Sequence, residues 1–489
     1  MPIVKRFKRA WRGFFEDAPS GAGLGASFSS AHQVAGGSGR WPMNASLWAP
    51  VNQTEAAARL ARHRVAYIAK NSPLCASIIL TFVTAAVADG PTAKSNLADA
   101  DEAADLERRW NAWAAQCDVE GICDLGGYLS RIVQGWLIDG EAFTHLVVLD
   151  DELKLRYLAA DQVDSNYTRV LGSMVSGTSP RIIRGIEVDE QGRRVGYWIL
   201  PSQLDVAWAV VGPPTFFPAA DICHMHEPAF AGQLRGMSPL APVAPRLLQL
   251  DQTEDAACQK VLINALMTGF IRGDNADNFG GLTAGDATTG FDPSQLSMEP
   301  GALRVLPFGT DVTFTPTIDM TTITDIIKHM GRSACAGAAV PFILASGDLS
   351  ETNFSSAQVG IQNFKRRIRA FQQNNLVAQV LAPIWRRFVL LEVLMGRIEA
   401  RNFEADPASY LTAKWIFPGW PALDPLKQAK ADVLELNGKL RSRTEIAAEH
   451  GRDISEINAE IENDLLAPDL TQTASAALAQ PEVNDNANA

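Results

Sequence analysis

Apolar residues recur along this chain at two spacings, arranged in blocks. From Thr54 to Ala88 and from Ala98 to Ala115 they return every three or four positions, and "LERRWNAWAAQCD" sets Leu106, Trp110 and Trp113 on one stripe. These spans predict helices. The period then drops to two in "EAFTHLVVL", in "RIIRGIEVDEQGRRVGYWIL" with a tight turn near Gln191-Gly192, and in "DVAWAVVG", so the middle of the chain reads as an α+β module. Helical spacing returns from Pro239 to Ile271, through Leu247, Leu250, Cys258, Val261, Leu262, Ala265 and Leu266. With Pro245 in its first turn this helix approaches 25 residues, about 37 Å at 1.5 Å per residue, which is long for a globular chain.

A Gly/Asp/Thr-rich segment, "GDNADNFGGLTAGDATTG", and two strand-like pieces, "GALRVLPF" and "DVTFTPT", predict a small β excursion after that helix. A helix then runs from Thr321 to its stop at Pro341, and the polar loop "SGDLSETNFSS" leads to another long one. That helix opens on a Ser355-x-x-Gln358 capping box, carries Ile361, Phe364, Ile368 and Phe371 on one face, and should kink at Pro383. Short helices follow in "PALDPLKQAKADVLELNGKLRSRTEIAAEHGRD". Asp424 caps Pro425, Asn437-Gly438 supplies a left-handed stop, Ser442 and Glu445 form a second capping box, Gly451 ends that helix, and Asp453 with Glu456 opens a third. On these residues alone they form a helical satellite without chemistry of its own. At the two ends, the basic, aromatic "VKRFKRAWRGFF" with the Gly/Ser/Ala-rich Ser20–Gly39 reads as an irregular arm, and the Ala/Gln/Asn-rich stretch from about Thr471 reads as disordered.

The chain has 489 residues, 47% of them hydrophobic, which is ample for a core and suggests two or more modules. A net charge of -12 argues against a protein that grips nucleic acid over its whole surface, because such proteins cluster Lys and Arg against phosphates. Six scattered cysteines without a C-x-x-C pair, and no secretory signal pattern, point to free thiols in a reducing cytoplasm. The apolar run in "SPLCASIILTFVTAAVADG" falls short of the roughly 20 residues of a membrane span, so it is expected as buried core. No G-x-x-x-x-G-K-[ST] or G-x-S-x-G occurs, and no cysteine has a basic neighbour pattern. His224 and His226, two apart on a strand, share a face and form the one candidate metal pair, but no carboxylate-rich motif completes a ligand set. The residues therefore describe a non-catalytic protein with long helices and a β excursion between them.

Six motifs in a fixed order resemble the portal proteins of tailed phages, in the lambda-type branch: "LERRWNAWAAQCDVEG" followed by "DGEAF"; "GIEVDEQGRRVGYWIL"; "ICHMHEPAFAGQLRGMSPLAPV"; "EPGALRVLPFGTDVTF"; "SGDLSETNFSSAQVG"; and "FPGWPALDPLKQAKAD". Two departures are mild: Phe354-Ser355-Ser356 stands where the family usually shows Tyr-Ser-Ser, and Lys427-Gln428 where it shows Lys-Glu. The resemblance implies an α+β portal fold and a ring, typically of about twelve subunits, at one capsid vertex of the virion. Through it double-stranded DNA enters and leaves without its sequence being read. Implied partners are the terminase large subunit, the major capsid or scaffold protein and a head-completion or adaptor protein. Assembly would occur in the host cytoplasm, with no membrane, no cofactor, no metal and no enzymatic activity. Another virion adaptor is the alternative, and a metal-dependent hydrolase using His224 and His226 a remoter one.

Mapped by order, the resemblance gives an arm (1–53), a wing (54–238), a first stem helix (239–271), a clip (272–320) and a second stem helix (321–341). A tunnel loop (342–356), a long helix with wing return (357–420), a crown (421–468) and a tail (469–489) follow. The DNA-facing loop would comprise Ser346, Gly347, Asp348, Leu349, Ser350, Glu351, Thr352, Asn353, Phe354 and Ser355. Between Phe270 and Ile318, Asp274, Asp277, Asp286, Asp292, Glu299 and Asp311, against Arg272 and Arg304, leave the clip segment net -4, so a ring would carry an acidic rim that repels phosphate and attracts basic motor surfaces. Lys365, Arg366, Arg367 and Arg369 are expected against a neighbouring subunit or, less favoured, DNA.

Overall fold

In the computed structural model the described residues are 50–170, 181–202, 212–266, 270–273, 310–313, 320–350, 354–420 and 424–463. Two helices come first, α1 (Pro50–Asn71) and α2 (Pro73–Val87). The first starts four residues ahead of the spacing that is legible from Thr54. They meet at a bend of 99° because Pro73 has no N–H to continue α1 and drives Ser72 into extended backbone (φ -96°, ψ 118°). α2 is the apolar stretch of the sequence, and it buries Cys75, Ile78, Ile79, Phe82, Ala86 and Val87 as a core helix. Among the described residues no single helix is long and apolar enough to cross a membrane.

After β1 (Thr92–Ser95) comes α3 (Ala100–Ala114), whose first turn is capped by Asp99 accepting from the N–H groups of Asp101 (3.0 Å) and Glu102 (3.3 Å). Leu106, Trp110 and Trp113 are buried on it, as their spacing predicts. Asp124 caps α4 (Leu125–Asp139), and Gly140 ends it in a left-handed conformation, φ +87°. Seven strands follow: β2 (Glu141–Leu149), β3 (Glu152–Leu158), β4 (Arg169–Val170), β5 (Arg181–Ile183), β6 (Ile186–Val188), β7 (Arg194–Ile199) and β8 (Thr215–Pro218). An eighth, β9 (Ile222–His226), returns beside β2, giving antiparallel sheets of order β3-β2-β9 and β4-β5-β6-β7-β8. The turn expected at Gln191-Gly192 is present, with Gly192 at φ +78°. The run before it is also cut at Arg184-Gly185, where both residues have positive φ. The "DVAWAVVG" strand lies, except for Gly212, outside the described residues.

A long helix, α5 (Ala244–Leu266), leads into β10 (Phe270–Gly273), which pairs antiparallel with β11 (Thr310–Thr313) ahead of α6 (Met320–Ala338). Pro245 lies in the first turn of α5, as expected, and α5 packs against α6. That second helix stops three residues short of Pro341, at Ala338, where Ala339 takes a left-handed backbone (φ +52°) and the Val340 N–H reaches the Cys335 carbonyl. Pro341 then precedes α7 (Phe342–Ser346), so the first third of the expected 342–356 loop is helical. Next, α8 (Phe354–Phe371) begins one residue before Ser355, which places that serine inside the first turn and not at the cap. Pro383 is accommodated by a change of helical repeat. Gln372–Leu381 forms a π-helix in which the Ala382 N–H reaches back five residues to the Val377 carbonyl, and α9 (Ala382–Leu394) takes over with the proline in its first turn.

The chain closes with α10 (Pro407–Leu411), β12 (Ala413–Ile416), α11 (Pro425–Asn437), α12 (Arg443–Glu449) and α13 (Ile454–Asn463). Asp424 and Ser442 cap α11 and α12 through the N–H groups of Lys427 and Glu445, both at 3.1 Å. The stop after α11 differs from expectation: Gly438 keeps helical backbone (φ -71°), and the left-handed residue is Lys439 (φ +55°). Gly451 does end α12 (φ +75°), and a side chain there would meet the backbone N of Gly419 at 2.3 Å.

The main core gathers around two aromatic groups. Trp110 packs on Trp113 (4.6 Å between ring centres), Trp385 (5.0 Å) and Trp415 (5.7 Å), while Phe82 and Trp136 close on Phe371 at 5.3 and 4.6 Å. Since β12 also pairs with β1, residues far apart in sequence close one body. A smaller core of Phe143, Leu158, Val163, Ile186, Tyr197 and Ile199 fills the space under the five-stranded sheet. Gly140 sits where the two meet: an added Cβ would lie 2.2 Å from the Met237 carbonyl carbon and 2.3 Å from the Ser238 N. Gly140→Ala is therefore expected to lose at least the roughly 1–2 kcal/mol of left-handed backbone, plus the displacement of residues 237 and 238. A lower urea midpoint at unchanged m checks this, and a parental midpoint contradicts it.

Candidate functional site

The most buried charges lie just beyond Gly140. Glu141, the first residue of β2, is fully buried. Its carboxylate accepts from Arg235 Nη2 at 2.5 Å, from Arg235 Nε at 2.9 Å, from Arg62 Nη2 at 2.9 Å and from the Gly236 N–H at 2.9 Å. Arg235 also donates to the carbonyls of Arg184 (2.8 Å), Val163 (3.0 Å) and Ala160 (3.0 Å). Arg62, on α1, reaches Asp161 at 2.5 Å. One carboxylate and two guanidinium groups thus tie α1, the end of α4, β2 and the turns of the five-stranded sheet into one piece. Burial alone would raise the Glu141 pKa, but Arg235 and His224 hold it well below the carboxylate range.

The two strand histidines share a face, as expected, and their rings stack at 4.3 Å. His224 Nε2 lies 3.3 Å from Glu141, and Arg194 donates to His226 Nε2 at 2.7 Å. A guanidinium on one imidazole is a poor setting for a cation, and among the described residues no three His, Cys, Asp or Glu groups gather to hold a metal. The hydrolase alternative is not favoured. Burial lowers the His224 pKa to about 4, opposed in part by Glu141; burial, then the neighbouring His224 and Arg194, lowers His226 to about 2.

These shifts set a pH dependence. Below the ordinary histidine pKa of about 6.5 the unfolded chain takes up protons that the folded chain refuses, so stability falls with pH by about 1.4 kcal/mol per unit per histidine. Asp139, which burial raises to about 6, acts in the opposite direction below that value and offsets roughly one of the two histidines. Stability should therefore decline from about pH 6.5 toward about pH 4, and His226→Gln should flatten that decline. Urea midpoints across the window measure both, and an identical slope in the variant contradicts the account.

The other predicted site residues are more scattered. Asp311 sits on β11 opposite Arg272 of β10, whereas Asp274, Asp277, Asp286, Asp292 and Glu299 lie outside the described residues. Ser346 ends α7, and Gly347 follows at φ +69° with its N–H on the Ile343 carbonyl (3.1 Å). Asp348 accepts from the Ser350 N–H (3.0 Å) and Oγ (2.6 Å), while Leu349 is 69% exposed. Glu351, Thr352 and Asn353 are outside the described residues, and Phe354 and Ser355 form the first turn of α8. The basic run on α8 is largely engaged within its own chain. Lys365 lies over the Trp420 ring at 5.3 Å, Arg367 over Phe82 at 5.9 Å, and Arg369 donates to Glu449 at 2.7 Å, while Arg366 is exposed. On the long helices, Leu248, Val261 and Leu262 of α5 and Ile326 of α6 are exposed apolar side chains.

Sequence reasoning gave no role to Glu141, Arg235, Arg62 or Arg194. The available signal was an acid directly after a helix-ending glycine, at the head of an apolar strand in "DGEAF", where an unpaired carboxylate would be costly.

The sequence pattern of phage portal proteins of the lambda family matches residues 39–372. A probable portal protein of Halomonas phage phiHAP-1 is 23% identical over 401 residues, 77% of this chain and 74% of that one. The portal protein of Escherichia phage N15 is 20% identical over 401 residues, covering 73% and 72%. Portal protein B of Escherichia phage lambda is 20% identical over 313 residues, 58% of each chain. Among solved structures, a chain from the neck of an empty gene transfer agent particle aligns with TM-score 0.46 at 15% identity over 80% of this chain and 93% of its own. A portal protein of the HK97 family from Corynebacterium diphtheriae aligns with TM-score 0.30 at 10% identity, covering 60% and 82%. With the family pattern running unbroken from ahead of α1, through the Glu141 hub and the α5–α6 pair, to the end of α8, the chain belongs to the lambda family of phage portal proteins.

Proposed function

We propose that about twelve copies of this portal protein close into a ring at one capsid vertex and form the channel for packaging and ejecting double-stranded DNA. The family match over residues 39–372 carries the proposal. Exposed Leu248, Val261, Leu262 and Ile326 support it, since apolar side chains on a long helix pair need neighbours, and repeated heterologous contacts in a closed ring supply them. In this reading α5 and α6 are the stem, residues 272–320 the clip, residues 342–356 the tunnel loop, residues 54–238 the wing, and α11–α13 lie in the crown. The acidic clip faces the terminase large subunit and, later, an adaptor; the outer wall meets capsid or scaffold protein. Loop hydroxyls and amides touch phosphates without reading bases, and Asp348 keeps that contact weak enough for sliding.

Negative-stain images and mass measurement of purified protein test the assembly. Rings of about twelve subunits are expected. A stable monomer at micromolar concentration in near-physiological salt contradicts the proposal.

A further inference from the structure

Between β9 and α9 the surface opens into a groove of about 830 Å³ whose lining holds three arginines and no acid. Arg387 pairs with Asp221 at 3.1 Å, but Arg386 is exposed and makes no ion pair among the described residues. Arg194 meets an imidazole, that of His226 at 2.7 Å, and no carboxylate among the described residues. Positive charge is left over. Phe230 and Leu390 stand 39% and 37% exposed on the walls, so the groove suits carboxylates presented together with apolar side chains.

A described element of the same chain has that composition. β2 and β3 join at a tip where Leu149 pairs with Glu152, and only Asp150 and Asp151 form the turn, both at positive φ (+50° and +62°). Such a turn is made most easily by Asn-Gly or Asp-Gly, and a second aspartate adds backbone strain that glycine would avoid. What it keeps is a second carboxylate. Asp150 and Asp151 are exposed and make no ion pair among the described residues, while Val148 and Leu149 beside them are 41% and 42% exposed. The tip does not reach its own groove. Along β2, His226 stands opposite Glu141 and Ile222 opposite His145, so the strand runs away from the groove and its pairs with β3 would have to part before the tip could fold back. Arg397 also holds the tip, donating to the Asp151 carbonyl at 3.0 Å.

We propose that the β2–β3 tip of one subunit seats in the β9–α9 groove of the next, with Asp150 and Asp151 against Arg386 and Arg194, and Val148 and Leu149 on Phe230 and Leu390. Two different surfaces make this a heterologous contact, the kind that repeats around a closed ring. It rests on the ring reading and names surfaces that meet within it.

Cross-linking of the full-length protein separates this contact from the ring itself. Asp150→Cys with Ala231→Cys, both at exposed positions, in a background where the exposed Cys258 is changed to Ser, should be joined by a short bismaleimide into a ladder of covalent oligomers. Either cysteine alone should leave single chains on a denaturing gel. Asp150→Asn/Asp151→Asn, which the turn accepts, and Arg386→Glu should each raise the concentration needed for assembly by at least about tenfold, and their combined loss should be smaller than the sum. Rings in negative stain that give no ladder, or losses that simply add, overturn the contact and leave the ring standing. Slower amide exchange of Phe230–Gln233 on adding inorganic phosphate to assembled rings overturns it too, by assigning the groove to a free oxyanion. A parent that stays monomeric removes the ring and this contact together.

Discussion

Glu141→Ala is expected to destabilise the protein by about 3–5 kcal/mol, because it takes from the buried Arg235 the carboxylate it meets and leaves the buried Arg62 to Asp161 and Asp139 alone. Arg62 and Arg235 are 3% and 2% exposed, so neither can turn to water without opening the wall around it. The favourable worth of such a buried cluster over apolar residues is small, since its attraction mostly offsets desolvation; the large number belongs to breaking it. A double variant should show this. Arg235→Met beside Glu141→Ala removes the stranded charge and should lose less than the sum of the two single changes. Urea unfolding of all three variants measures the coupling, and a Glu141→Ala loss under about 1 kcal/mol contradicts the account. Since the hub joins α1 to β2 and the five-stranded sheet, ring assembly should fail at temperatures where the parent assembles.

What the sequence makes legible divides by distance along the chain. The caps at Asp424 and Ser442 are satisfied within three residues, so residue type and spacing determine them. The same local logic slips where several neighbours can do one job: Lys439, not Gly438, takes the left-handed position, and α8 starts before Ser355. The hub is a different case. Glu141 meets Arg235 and Arg62 across 94 and 79 residues, and no periodicity marks such a meeting. The basic run on α8 is a further case of distance: within the chain the cationic heads of Lys365 and Arg369 are met by Trp420 and Glu449, 55 and 80 residues on, while Arg366 stays exposed toward the proposed neighbouring subunit. The family resemblance, resting on motifs in order, did not depend on these pairings.

Deleting Asp348–Asn353 is expected to leave rings intact while DNA packaging or retention is lost. Of these residues the described ones make few ties to the rest of the molecule. Asp348 bonds to Ser346 and Ser350, and Leu349 points no buried surface at the core. The segment before them is firmly held, since α7 is tied to α2 by Ser77 Oγ donating to the Ala345 carbonyl at 2.5 Å, and Gly347 closes α7 with a left-handed stop. On the far side α8 is fixed by Phe364, Ile368 and Phe371 in the core. Among the described residues the deletion removes no core side chain, and the apolar faces of α5 and α6, which the proposed ring covers, are untouched. The loss should fall on contact with DNA alone, because a polar loop repeated around a channel positions phosphates at every step of translocation. Images of the variant rings and the length of DNA recovered from filled particles separate assembly from packaging. Normal rings that package and hold full-length DNA would show that the segment joining α7 to α8 is a connector, and the contact with DNA would have to be sought elsewhere on the channel wall.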